Sequence, residues 1–190
     1  MKNPEIIVFT GPMFGSKTTR LLAAIDRYTI QRKNVFVFKP RMDIRYDMSK
    51  ITTHNGGSID AYVVENGEDI IQKIRDVDLL DFPDIIAIDE AFMIDGVAEA
   101  VVSLYKKGIT ILISSLDLSA SCTPFEEITK ILPYATKIEK CPAVCTACGE
   151  DAYYTHKKLN NNKEIEVGGK DLYEPRCWKH YRNMNTSARG

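Results

Sequence analysis

Ile6-Ile7-Val8-Phe9-Thr10-Gly11-Pro12-Met13-Phe14-Gly15-Ser16-Lys17-Thr18 is the stretch on which the fold of this 190-residue chain turns. An apolar run of strand length enters a glycine-bounded loop. After it, residues 18–31 carry Leu21, Leu22, Ile25 and Tyr28 at helical spacing. A strand, a glycine loop and a helix in that order can cradle phosphate: N–H groups at the helix start face the anion, Lys17 reaches the β and γ oxygens, and the Thr18 hydroxyl can ligate Mg²⁺. Gly11, Lys17 and Thr18 satisfy the pattern G-x-x-x-x-G-K-[ST], and Ser16 stands where its second glycine falls. If that position needs a positive φ, serine costs about 1 kcal/mol more than glycine, with Gly15 placed to take up part of the strain. Taken alone, the motif also fits an ordinary strand-turn-helix junction.

Working outward, Val35-Phe36-Val37-Phe38, Ile85-Ile86-Ala87-Ile88 and Ile109-Thr110-Ile111-Leu112-Ile113 are further continuous apolar runs, the form of strands buried on both faces. Residues 94–107 place Val97, Val101, Leu104 and Tyr105 at helical spacing. Strands alternating with helices predict an α/β fold, a parallel sheet flanked by helices. The third run ends in Asp89-Glu90, where such sheets gather their ligands. Asp89 is placed to hold Mg²⁺, and Glu90 to take a proton from an attacking hydroxyl. A plain helix-capping acid is the bland alternative. Residues 41–57 are polar and aperiodic, and read as one long loop of the kind that flaps over a substrate.

Length allows one α/β domain with about forty to fifty residues left over. Hydrophobic residues at 44 % against 27 % charged suit a soluble chain with a real core. A net charge of -1 lacks the basic footprint of a protein that holds duplex nucleic acid, so none is expected as a partner. Neither a leader-like N-terminus nor a membrane-length apolar stretch is present, which sets cytoplasm as the expected compartment and no membrane as a partner.

Beyond residue 135 the composition shifts to Cys, Tyr, Lys and Asn, and we divide the chain into 1–138, a nucleotide-binding domain, and 139–190, a small metal-bound one. Cys145-Thr146-Ala147-Cys148 and Cys177-Trp178-Lys179-His180 are two knuckles that together supply Cys145, Cys148, Cys177 and His180 as ligands for a structural, tetrahedral Zn²⁺. Cys141 competes for a ligand place at a less usual spacing and is read, with Cys122, as a free thiol. Between the knuckles, Ala152-Tyr153-Tyr154-Thr155 and Glu164-Ile165-Glu166-Val167 read as strands flanking a loop at residues 160–163. The polar tail after Arg182 reads as frayed, His54 and His156 as solvated loop residues, Glu126-Glu127 as a solvated face, and Trp178 as packing over the zinc site.

With these landmarks in order, the chain resembles the type II thymidine kinases from about Ile6 to His180. The residues that carry the likeness are Gly11-Pro12-Met13-Phe14, Lys39-Pro40 with Asp43 and Arg45-Tyr46, Thr53-His54, Asp89-Glu90-Ala91, Leu116-Asp117 with Pro124-Phe125, and Gly168-Gly169 with Asp171, Tyr173 and Cys177. The resemblance implies a RecA-like P-loop core, a zinc-held lasso closing over the nucleoside, and a homotetramer. It also implies transfer of the γ-phosphate of ATP to the 5′-hydroxyl of thymidine, with Glu90 as general base. On the same basis Arg45 lies near the phosphates, and Met13, Leu116, Phe125 and Tyr173 line the nucleoside pocket. Lasso main chain around Val167 and Gly168 holds the base. The chain departs from the family at Gly15-Ser16, at Phe92-Met93 and at Ala120, which leaves open a kinase for another or modified deoxynucleoside, or a degenerate P-loop protein.

Overall fold

Branched and aromatic side chains alternate between the two faces of a central sheet. Ile6, Val8, Phe38, Ile86, Ile88, Ile111 and Ile113 fill one core, and Phe9, Val37, Ile85, Ala87 and Leu112 fill the other. In this computed structural model residues 3–43, 50–52, 57–158 and 168–186 are described, those from 183 on without side chains. Along the chain come β1 (Ile6–Thr10), α1 (Lys17–Ile30), β2 (Val35–Pro40), β3 (Lys50–Thr52), β4 (Ser58–Asp60), β5 (Tyr62–Val64), α2 (Gly67–Arg75), β6 (Ile85–Ile88) and α3 (Val97–Lys106). They are followed by β7 (Thr110–Ser115), α4 (Glu126–Ile131), β8 (Lys137–Lys140), β9 (Ala143–Val144), β10 (Asp151–Ala152), β11 (Tyr154–Lys157), β12 (Tyr173–Arg176) and α5 (Trp178–Thr186).

The main sheet has the order β5-β2-β6-β7-β1-β8, and each pairing is parallel. Between β1, which leads into the glycine loop, and β6, which delivers the acid pair, lies β7. That spacing is the RecA-like arrangement. It also puts the loop, the acids and the end of β7 along one carboxyl edge, where α/β sheets bind ligands. Helices α2, α3 and α4 cover one face, while α1 and the β3-β4 hairpin cover the other, with Ile51 and Ile59 packing down beside Leu21 and Ile25.

Several stretches differ from their sequence reading. The loop expected over 41–57 holds strand β3, since Ile51 pairs with Ile59 and buries on the second core. Glu126 and Glu127 open a helix, and Glu127 is no solvated charge: its Oε2 accepts from the N–H of Ala98 at 2.9 Å. That contact satisfies an orphan donor in the first turn of α3, whose own cap, Gly96, has no side chain to offer. His156 lies half-buried on β11, not in a loop, and α5 runs to Thr186 past the expected fraying point. Strand β11 pairs with β12, and the loop and strand expected at 160–167 lie outside the described residues. No helix among the described residues is long and apolar enough to cross a membrane.

Candidate functional site

The glycine loop begins where β1 ends, and three of its residues have positive φ: Gly11 at 136°, Phe14 at 66° and Ser16 at 56°. Ser16 therefore sits in the left-handed region that the second glycine of the motif would occupy freely. Gly15 does not absorb this strain, because its own φ is not positive. Its requirement is space: a Cβ there would lie 2.6 Å from the carbonyl oxygen of Cys141, and one at Gly11 would collide with the same oxygen. Both glycines are thus fixed by the chain that leaves β8, anchored by the Cys141 N–H donating to Thr10 O at 2.7 Å. The Cys141 side chain is buried behind the loop, in the core beside Leu21, and stands outside the metal-ligand cluster.

Inside the loop the Lys17 ammonium donates to Pro12 O at 2.6 Å. Burial lowers its pKa from the ordinary lysine value, and the charges of Glu90 and then Asp89 oppose that shift. The two acids leave β6 buried, Asp89 with its N–H on Phe38 O. The Thr18 hydroxyl donates toward Asp89 Oδ1 at 3.2 Å and Oδ2 at 3.4 Å. Glu90 takes a left-handed conformation, φ 49° and ψ 44°, and caps a single 3-10 turn at Ala91–Met93. A non-glycine residue held there stores about 1–3 kcal/mol of strain, the kind kept where side-chain direction matters. Lys17, Thr18, Asp89 and Glu90 lie near one another. Cis oxygen ligands of an octahedral Mg²⁺ stand about 3 Å apart, so the Thr18 hydroxyl and the Asp89 carboxylate fit two places on one ion.

The other expected residues lie on several separate elements. Leu116 follows β7 and Phe125 opens α4; the turn between them is closed by the Phe125 N–H donating to Asp117 O at 3.1 Å. Phe125 also packs on Phe92, ring centroids 4.6 Å apart. Met13 donates its N–H to the Thr155 hydroxyl at 3.0 Å, which ties the glycine loop to β11. Tyr173 is buried at the start of β12, opposite Lys157 in the register of β11. Gly168 is packed against Leu172, while Val167 and Arg45 lie outside the described residues.

Cys145, Cys148, Cys177 and His180 bring their donor atoms within 4.8 Å of one another. Cys148 Sγ to Cys177 Sγ is 3.8 Å, Cys145 Sγ to His180 Nδ1 is 3.8 Å, and Cys177 Sγ to His180 Nδ1 is 3.2 Å. Ligands about 2.0 to 2.3 Å from a tetrahedral Zn²⁺ are separated by about 3.3 to 3.8 Å, so this donor set fits that ion. Burial raises the Cys145 thiol pKa, but hydrogen bonds from the backbone of Cys177 and Ala147 and from Cys148 outweigh it and bring the value down to about 6, towards the thiolate a metal needs. Around the cluster, Phe14 of the glycine loop packs with Ala143, Cys145 and Ala152. Trp178 lies against Tyr154 at 5.1 Å and Tyr181 at 6.2 Å, half exposed.

Sequence reasoning missed Thr155, Tyr181 and the Cys141 carbonyl. The first two act through one hydroxyl on one distant backbone group, and the third through main chain, none of which leaves a motif.

A P-loop with a buried acid pair one strand away, on a parallel sheet, defines the class: a nucleotide-binding P-loop protein built for phosphoryl transfer. The family model described as thymidine kinase matches residues 4–181. A thymidine kinase of Pyrobaculum aerophilum is 35 % identical over 184 residues, covering 93 % of this chain and 97 % of that one. One from Thermococcus kodakarensis is 34 % identical and covers 92 % of each chain. Another, from Choristoneura fumiferana entomopoxvirus, is 34 % identical and covers 96 % of this chain and 98 % of its own. The chain belongs to the thymidine kinase family.

Proposed function

We propose that the protein transfers the γ-phosphate of ATP to the 5′-hydroxyl of thymidine, as a cytoplasmic homotetramer that supplies DNA precursors. The observation that carries this reading is the convergence of Lys17, Thr18, Asp89 and Glu90 at one carboxyl edge of the sheet in a chain of this family. The amide groups of the loop and the first turn of α1 receive the phosphates, with Lys17 on the β and γ oxygens and Arg45 near them. Thr18 and Asp89 would hold Mg²⁺, which when bound neutralises charge on the phosphates. Glu90 accepts the 5′-hydroxyl proton as the nucleoside oxygen bonds to the γ phosphorus and the bond to the β-γ bridging oxygen breaks, leaving ADP.

Met13, Leu116, Phe125, Val167, Gly168 and Tyr173 form the nucleoside site on this reading. Zinc on Cys145, Cys148, Cys177 and His180 would fill all four coordination places, so its part is to hold the C-terminal unit together, not to activate water. Purified protein supplied with Mg-ATP and a panel of deoxynucleosides tests the proposal. The expected result is thymidine monophosphate as the principal product. Preference for another nucleoside would favour a different base specificity, the reading suggested by Phe92 packing on Phe125. ATP binding without any nucleotide product would sink the kinase assignment.

A further inference from the structure

Two buried hydroxyls of the cysteine-rich unit reach out of it to main-chain groups of the core. One is Thr155 on Met13; the other is Tyr181, whose phenol donates to Ala120 O at 2.7 Å across 61 residues of sequence. We propose that Tyr181 is a positioning residue for the nucleoside site: it latches the turn at residues 116–125 to α5, the helix that carries His180, and so sets where Leu116 and Phe125 stand. This rests on the nucleoside-kinase reading above.

Tyr181 is held firmly at its own end. It is 4 % exposed, stacks on Tyr154 at 5.3 Å with rings 28° apart, and follows the metal ligand His180 directly. Its N–H donates to the carbonyl of another ligand, Cys177, at 2.9 Å. The phenol oxygen therefore takes its position from Tyr154 and from the turn that joins Cys177 to His180.

At the other end, the turn is stapled into one piece. Ser119 N donates to Thr123 O at 2.9 Å, Cys122 N to Ser119 O at 3.0 Å, and the hydroxyls of Ser119 and Ser121 lie 2.8 Å apart. Cys122 sits at φ 64°, and Leu118 bridges Pro124. A piece braced this way moves as a unit. Ala120 lies at its tip and the proposed pocket residues at its two ends, so a hydrogen bond at the tip fixes both ends together. Losing it leaves the Ala120 carbonyl short of a partner as well as removing the bond.

Tyr181→Phe separates the hydroxyl from the packing, because the ring stays against Tyr154 and Trp178 and the metal ligands are untouched. We expect the KM for thymidine to rise about three- to tenfold, with the KM for ATP and kcat within about twofold and zinc content unchanged, as loss of one buried hydrogen bond implies. In parallel, amide hydrogen exchange across 116–125 should quicken in the variant, a readout that needs no activity. If thymidine KM stays put, or rises equally with that for ATP, the latch is refuted even where exchange has changed. Wild-type protein that phosphorylates no nucleoside, together with the expected exchange difference, would overturn the kinase reading and the positioning role that rests on it, while leaving the Tyr181 contact itself intact.

Discussion

The Thr18 hydroxyl stands 3.2 Å and 3.4 Å from the two oxygens of Asp89, although 71 residues separate them in sequence. One comes from the first turn of α1 and the other from the end of β6, and the parallel order of the sheet is what closes the gap. Two hard oxygen donors so placed could share a single divalent ion brought by the nucleotide. Asp89→Asn should therefore raise the Mg²⁺ concentration needed for half-maximal activity about tenfold or more, since a charged ligand becomes a neutral one. A Mg²⁺ titration of the purified variant checks this; an unchanged midpoint would remove Asp89 from the metal's surroundings.

Glu90→Gln keeps the side chain's size and removes its basicity. The left-handed backbone at this position fixes the carboxylate's direction, and the amide inherits that direction. The expected outcome is a fall in kcat of about 10² to 10⁴ with ATP affinity nearly unchanged. A variant that keeps more than about a third of wild-type turnover would show that the proton goes elsewhere, given how much a general base contributes.

Neighbouring loop positions should respond in opposite senses. Ser16→Gly relieves a left-handed serine, worth about 1–2 kcal/mol, and gives back about 0.5–1 kcal/mol in unfolded-chain entropy, so stability should hold or rise slightly. Gly15→Ala drives a Cβ to 2.6 Å from the Cys141 carbonyl, which can yield only by dragging the chain after β8. We expect a loss of about 1–3 kcal/mol and a Tm lower by about 2 to 12 °C, with weakened nucleotide binding. Thermal melts of the two variants beside wild type decide it, and a stabilising Gly15→Ala would show that the loop does not rest on Cys141.

Much of the fold is legible in the sequence. The four apolar runs are long enough, and buried enough on both faces, to appear as unbroken hydrophobic sequence, and each became a strand of the parallel sheet. Ligand spacing at Cys145, Cys148, Cys177 and His180 brought together a cluster that chain topology alone would not reveal. What escaped had weak local signals. Helix α4 is six residues long, too short for a helical period to stand out, and its glutamates looked like a surface charge pair. Helix α2 is the exception, absent from the sequence reading although its signal is local: Asn66 Oδ1 accepts from Asp69 N at 3.1 Å and Asp69 Oδ2 from Glu65 N at 2.8 Å, residues that read as Asn-x-x-Asp. Strand β3 has three residues and owes its existence to one buried isoleucine meeting another across a hairpin.

Metal removal should act on one substrate more than the other. The cysteine and histidine knuckles draw together β9, β12 and α5, short elements whose small apolar cluster is built, among the described residues, on Ala143, Cys145 and Ala152. So small a core would not offset the ordering entropy alone, and an ion held by the four ligands would supply the difference. This unit contributes Tyr173, Gly168 and the Tyr181 contact to the proposed nucleoside site, whereas the phosphates rest on the loop between β1 and α1. Cys148→Ser should therefore release zinc and raise the KM for thymidine by about tenfold or more, while the KM for ATP moves by about threefold at most, because the Thr155 and Phe14 contacts touch the phosphate loop without supplying its phosphate-binding groups. Elemental analysis of wild type and variant gives the metal content, and two-substrate kinetics gives the split. Wild-type protein without bound zinc, or a variant whose two KM values rise together, would end the assignment of a structural metal serving the nucleoside side.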